Sequence, residues 1–162
     1  MARTVIGVMG PGDAATPAQL ETAYALGYAL ASIGWVVLTG GRQVGVMDAA
    51  CRGAQAAGGL TLGILPAADR AGMSAAVDIA IVTGLGDARN AVNVLSSQVV
   101  VACGLGPGTA AEIALALKAQ RPVILMEMIP SAIALWQSLA TGPLAMADTV
   151  EAAVAQIQQW LL

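Results

Sequence analysis

Apolar residues fall in short unbroken runs, and longer segments of mixed pattern separate them from one end of the chain to the other. Thr4–Met9, Trp35–Leu38, Leu60–Leu65, Val77–Val82, Val99–Cys103 and Pro122–Met126 are such runs. They are rich in Val, Ile and Leu and bounded by Gly or Pro, the pattern of strands buried on both faces. The intervening segments carry helix signals. Thr16 reads as a cap with Pro17 at the first helical position, and that helix runs to about Ile33 before Gly34 stops it. Val44–Ala57 is closed by Gly58-Gly59. Further helices are predicted over Arg89–Ser97, from about Thr109, over Pro130–Leu139 and over Thr149–Leu161. No repeat, low-complexity tract or linker interrupts the series. Strands alternating with helices of this length predict an α/β fold, a doubly wound parallel sheet that binds ligands at the carboxyl ends of its strands.

Composition sharpens this picture. Hydrophobic residues make up 57% of the chain and the mean hydropathy is +0.75, high enough to raise the question of a membrane span. The longest candidate window, Val99 to Ala119, is broken by Gly104, Gly106, Pro107 and Gly108 and carries Glu112 near its middle, so no span is predicted. The N-terminal residues lack a secretory pattern, and a cytoplasmic protein is expected. A two-sided parallel sheet absorbs part of the apolar excess. The helices at Val44–Ala57 and Ala110–Ala119 hold so few charges that one face is assigned to the sheet and another to a neighbouring subunit. A homo-oligomer, dimer or tetramer, is the expectation. The methionines and the Tyr24/Tyr28 pair are assigned to the core.

Charge and residue types exclude several chemistries. The net charge is −3 with no basic run, which argues against a nucleic-acid surface. Cys51 and Cys103 make no metal-ligand spacing and fit a reducing compartment. The chain has no histidine. Ser-His-Asp and Cys-His catalysis and the usual zinc sites are therefore excluded, and no protein-ligated metal is expected.

Three glycine-rich segments follow or close three of the predicted strands: Gly7-Val8-Met9-Gly10-Pro11-Gly12, Gly40-Gly41-Arg42-Gln43-Val44-Gly45 and Gly104-Leu105-Gly106-Pro107-Gly108. Glycine permits close backbone approach, so such loops can wrap a phosphate or a heterocycle, whereas one loop alone would mark only a strand end. The third loop opens a helix, whose N-terminal N–H groups and dipole favour an anion. The first loop lacks the downstream ribose-binding acid of a dinucleotide fold, and Lys118, the only lysine, is no phosphate-loop lysine. Gly10, Gly12, Gly40, Gly41, Gly45, Gly106 and Gly108 are thus the backbone candidates.

Side-chain candidates cluster near the same strand ends. Arg89 can pair bidentately with a phosphate, and Glu112 can hold ribose hydroxyls or shift a proton. The alternatives are a structural ion pair between them, or a carboxylate that complements its helix dipole in the first turn. Asn90 and Asn93 can read the edge of a heterocycle or cap a helix. Thr109 can donate to a phosphate or cap its helix, and Arg42 can face the ligand or the solvent.

The segments Gly40-Gly41-Arg42-Gln43-Val44-Gly45-Val46-Met47 and Gly104-Leu105-Gly106-Pro107-Gly108-Thr109-Ala110-Ala111-Glu112 resemble, in the same order, the GGGxxGxM and PGGxGTxxE motifs of the Lonely Guy (lysine-decarboxylase-like) family. The likeness extends from the first strand to about Met126. In the second motif Gly104 and Leu105 replace the family's proline and first glycine. Enzymes of that family hydrolyse the N-glycosidic bond of nucleoside monophosphates, and the resemblance would put their catalytic arginine and glutamate at Arg89 and Glu112. The stretch Gly86–Ser97 and the Gly-x-Gly-x-Gly-Thr-Ala-x-Glu form of the second motif are similar to a sister branch, the molybdenum cofactor carriers. Those oligomeric proteins store or transfer an anionic pterin phosphate, with molybdoenzymes as recipients. The resemblance implies a Rossmann-like domain over residues 1–162 that binds molybdenum cofactor as a carrier. The alternatives are a nucleoside 5′-monophosphate phosphoribohydrolase and a non-catalytic nucleotide-binding protein.

Overall fold

A computed structural model describes residues 2–162 of the chain. Seven strands pair in parallel as one sheet: β1 (Val5–Met9), β2 (Val36–Thr39), β3 (Thr61–Leu65), β4 (Ile79–Val82), β5 (Val99–Cys103), β6 (Val123–Met126) and β7 (Leu144–Met146). Their order is β4-β3-β2-β1-β5-β6-β7. The chain builds outward from β1 in one direction and then returns to β5 on its other side, so a topological switch point lies between the carboxyl ends of β1 and β5. The register there sets Gly7 against Val100 and Met9 against Ala102.

Six helices cover the sheet: α1 (Pro17–Ser32), α2 (Gly45–Ala56), α3 (Arg89–Leu95), α4 (Pro107–Lys118), α5 (Pro130–Leu139) and α6 (Val150–Leu161). Strand alternation divides the core between two faces. Ile6, Val8, Val99, Val101 and Cys103 point to α1, α2 and α6, whereas Met9, Val100, Ala102 and Leu125 point to α3, α4 and α5. The first helix starts where the sequence reading puts it. The Thr16 hydroxyl accepts from the Gln19 N–H while the Gln19 side chain accepts from the Thr16 N–H, a reciprocal cap worth about 1 kcal/mol.

The structure corrects several expectations. The three-residue strand β7 is too short to show a sequence period. Helix α4 begins at Pro107, two residues before Thr109, because the proline needs no N–H partner in the first turn. Strand β4 starts at Ile79, and as the sheet edge it leaves Ile79, Ile81 and Val82 exposed. Tyr24 and Tyr28 are 40% and 48% exposed and lie outside the core. Met146 is exposed too. The second apolar face of α2 meets α1 within the chain: a Cβ on Gly27 would strike the Ala50 carbonyl, and one on Gly53 the Tyr24 carbonyl. Two glycines thus let the helix backbones touch, and that face is not left for a neighbouring subunit.

Candidate functional site

The loops after β1, β2 and β5 converge at the switch point around a cleft of about 370 Å³. Met9, Gly10, Pro11, Gly12, Asp13 and Ala14 form one wall, and Gly106, Pro107, Gly108, Thr109 and Glu112 form another. Gly40, Arg42, Met47, Asp87, Arg89 and Asn90 complete it. Of the residues picked from sequence, Gly10, Gly12, Gly40, Arg42, Arg89, Asn90, Gly106, Gly108, Thr109 and Glu112 therefore share one cavity. Gly41, Gly45 and Asn93 do not line it.

Each of those three supports the cleft from behind. Gly45 has a φ of 55°, and any Cβ there would strike the Pro11 and Gly12 carbonyls. The second loop is thereby seated on the first, and the Val46 N–H donates to the Pro11 carbonyl at 3.0 Å. Gly41 packs on Gly63 and Leu65. Asn93 is fully buried, and its Nδ2 donates to Glu112 Oε1 at 2.8 Å. Neither asparagine caps a helix, since Asn90 Oδ1 instead accepts from the Arg89 guanidinium.

Arg89 opens α3 immediately after a 3-10 turn, Gly86–Ala88, so its side chain folds back under the loops. Its Nε donates to the Ile64 carbonyl at 2.9 Å, and Gly40 leaves room for the guanidinium: a Cβ there would lie 2.7 Å from Nη2. Burial pushes the Arg89 pKa down, partly offset by the charge of Glu112. Glu112 is 7% exposed. Burial pushes its pKa up, and the Asn93 N–H and the Arg89 charge only partly pull it back.

Because α4 starts at Pro107, Glu112 is its sixth residue and stands in the second turn, not the first. Complementing the helix end is thus not its role. Nor do Arg89 and Glu112 form a direct ion pair, the one pair among the described residues being Arg52–Asp48 at 3.2 Å. Thr109 does not cap α4 either, since Gly106 occupies that position. The Thr109 hydroxyl, 2% exposed, has no partner. Around it, the N–H groups of Gly108 and Thr109 precede the first i→i−4 bond of the helix, from the Ala110 N–H to the Gly106 carbonyl at 2.8 Å. The cleft thus offers two N–H donors, a buried hydroxyl and two arginines on one side of its chemistry, and Asp13, Asp87 and Glu112 on the other.

Asp13, Asp87 and the methionine pair Met9 and Met47 were not singled out from sequence. The two aspartates directly follow Gly12 and Gly86, a signal that loop chemistry could have supplied. The methionines read as core residues by pattern, and only the convergence of β1 and α2 brings them to the cleft. Among the described residues, no cluster of three His, Cys, Asp or Glu is placed to hold a metal ion, and no helix is long and apolar enough to cross a membrane.

The whole chain superposes on solved structures of known proteins. The molybdenum cofactor binding protein of the phototrophic bacterium Rippkaea orientalis is 52% identical, with a TM-score of 0.98 over 100% of this chain and 99% of that one. The molybdenum cofactor carrier protein of Chlamydomonas reinhardtii is 52% identical, with a TM-score of 0.94 over 99% of each chain. An uncharacterised protein of Archaeoglobus fulgidus is 42% identical over 113 residues, which are 70% of this chain and 73% of the relative. Residues 3–154 match the SLOG cluster4 family model, and with its glycine loops converging on one cleft the chain belongs to that Lonely Guy-like family.

Proposed function

We propose that the cleft binds molybdenum cofactor, an anionic pterin phosphate, and that the protein carries this cargo to molybdoenzymes without transforming it. The observation that carries the reading is the Thr109 hydroxyl, buried without a partner beside the free N–H groups of Gly108 and Thr109. A buried hydroxyl without a partner costs stability, and a bound phosphate oxygen would supply the missing acceptor. Arg42, exposed on the cleft rim, adds the charge that a chain of net −3 does not provide globally. The full-length likeness to two molybdenum cofactor proteins supports the same ligand.

The hydrolase alternative draws on Arg89 and Glu112 sharing the cleft. Arg89 Nε and Nη1 are held by the Ile64 carbonyl and Asn90, which fixes the guanidinium in the cleft wall under either reading. The carrier is preferred on the full-length likeness to two molybdenum cofactor proteins. Two experiments decide between them. Protein purified from a cofactor-producing host is expected to carry a pterin fluorescence signal and to release no base from adenosine monophosphate. Base release that disappears in Glu112→Gln, with no pterin present, overturns the carrier reading.

The protein works in the cytoplasm, in keeping with the buried free thiols of Cys51 and Cys103. Its working form is a homo-oligomer, dimer or tetramer. Support for this comes from the exposed edge of β4 and from an apolar groove between α3 and α4, of about 350 Å³, flanked by Leu95 and Leu115. Sedimentation equilibrium is expected to give a multiple of the chain mass, and a stable single-chain species at low concentration overturns the oligomer.

A further inference from the structure

Charge is segregated along this chain. From Thr4 to Gly41 and from Pro122 to Leu162 there is no lysine or arginine. The fold brings these two segments side by side, because β1 with α1 and β6 with α6 cover the same half of the sheet. The face that α1 shares with the start of α6 therefore carries carboxylates alone: Glu21, Glu127, Asp148 and Glu151, all exposed. On the neighbouring helix α2, Arg52 is already paired with Asp48.

This face is also aromatic. A groove of about 460 Å³ lies between α1 and α6, lined by Tyr24, Ala25, Tyr28, Ala29, Val150 and Glu151. Tyr24 and Tyr28, one helical turn apart, present their rings at 40% and 48% exposure. No described element of the chain covers them. One carboxylate is held in place: Glu127 takes a left-handed φ of 52°, and its Oε1 accepts from the Thr22 hydroxyl at 2.8 Å, which ties the end of β6 to α1. Glu127, Asp148 and Glu151 all follow carboxyl ends of strands, and α1 follows the loop that contributes Asp13 to the cleft. These carboxylates thus stand at the same, carboxyl-terminal end of the strands as the cleft mouth.

We propose that the α1–α6 face docks a partner protein through lysine and arginine side chains that stack on Tyr24 and Tyr28 and pair with Glu21 and Glu151. Aromatic faces and nearby carboxylates together select cations, and complementary charge accelerates encounter. A second copy of this chain is the poorer occupant. In a two-fold contact Glu21 and Glu151 would meet the same carboxylates, and the repulsion opposes it. Placed beside the cleft mouth, the face suits a recipient that takes the cargo while docked. Naming that recipient as a molybdoenzyme rests on the function proposed above; the docking chemistry does not.

The test uses the purified full chain and a cofactor-free molybdoenzyme whose cofactor entrance is rimmed by Lys and Arg. Sedimentation velocity reads their association without cargo, and regained enzyme activity reads transfer from cargo-loaded protein. Glu21→Lys/Glu151→Lys and Tyr24→Ala/Tyr28→Ala lie outside the cleft and are expected to retain cargo as the parent does. In both, association is expected to weaken and transfer to slow by about tenfold or more, and the parent's association to weaken as salt is raised. No association of the parent, or parental association and transfer in folded variants, overturns the docking surface. So does a parent oligomer that these substitutions dissociate, since the face would then join two copies. If the parent associates through this face but never carries a pterin, the cargo reading fails and the docking surface stands.

Discussion

Asn93 Nδ2 donates to Glu112 Oε1 at 2.8 Å, across the packed surfaces of α3 and α4. Asn93 never reaches the cleft, yet it aims the carboxylate that does. Its own Oδ1 has no partner, so its part in the structure is carried by the amide donor. Asn93→Ala is expected to cost about 1–3 kcal/mol, because Glu112 is left buried with one hydrogen bond fewer. Asn93→Asp, which sets a second carboxyl against the first, is expected to cost more at neutral pH. Urea unfolding of both variants checks this ranking.

Glu112 also gives stability a pH dependence whose sign follows from its burial. Its folded-state pKa is raised above the unfolded value, so the folded chain binds that proton more tightly. The resulting stabilisation is fully present below the ordinary carboxylate range and is lost as pH rises through the raised value. Arg89 stays charged throughout that window. Glu112→Gln is therefore expected to flatten the fall in unfolding midpoint between acidic and neutral pH. Parallel curves for the two proteins would refute the assignment.

Thr109→Val is expected to separate stability from function. The hydroxyl is buried and unpartnered in the free protein, so an isosteric methyl removes an unmet polar group. The variant should be as stable as the parent, or more stable by about 1 kcal/mol, and should hold cofactor or inorganic phosphate about tenfold more weakly. Thermal unfolding with and without phosphate measures both effects.

Gly108 has open space where a Cβ would stand, and its φ is not in the left-handed region. Gly108→Val should accordingly fold with less than about 1 kcal/mol of change, while its branched side chain occupies the approach to the α4 N-terminus. Loss of pterin on purification with an unchanged unfolding midpoint is the expected result. Undiminished retention would place the anion elsewhere.

The alternation of apolar runs with capped helices was enough to predict a parallel α/β sheet, because strands buried on both faces need continuous Val and Ile. The glycine loops and the helix behind β5 were legible for a similar reason: glycine and proline restrict the backbone locally, whatever packs against them. Thr16, Pro17 and Gln19 likewise set the start of α1 from within one turn.

Tertiary structure decided what depends on partners distant in sequence. Asn93 reads from sequence as a ligand contact or a cap, but the packing of α3 on α4 turns it towards Glu112. Arg89 reads as a phosphate partner or as half of an ion pair with Glu112, but its Nε and Nη1 are held by Ile64 and Asn90 and no such pair forms. Tyr24 and Tyr28 have helical spacing that suits a core. They lie outside because Gly27 and Gly53 bring α1 against α2 along a different stripe. A sequence pattern specifies which residues can be buried. Which of them meet depends on the close approach of whole elements, and here that approach is set by two glycines and by the return of the chain from β1 to β5.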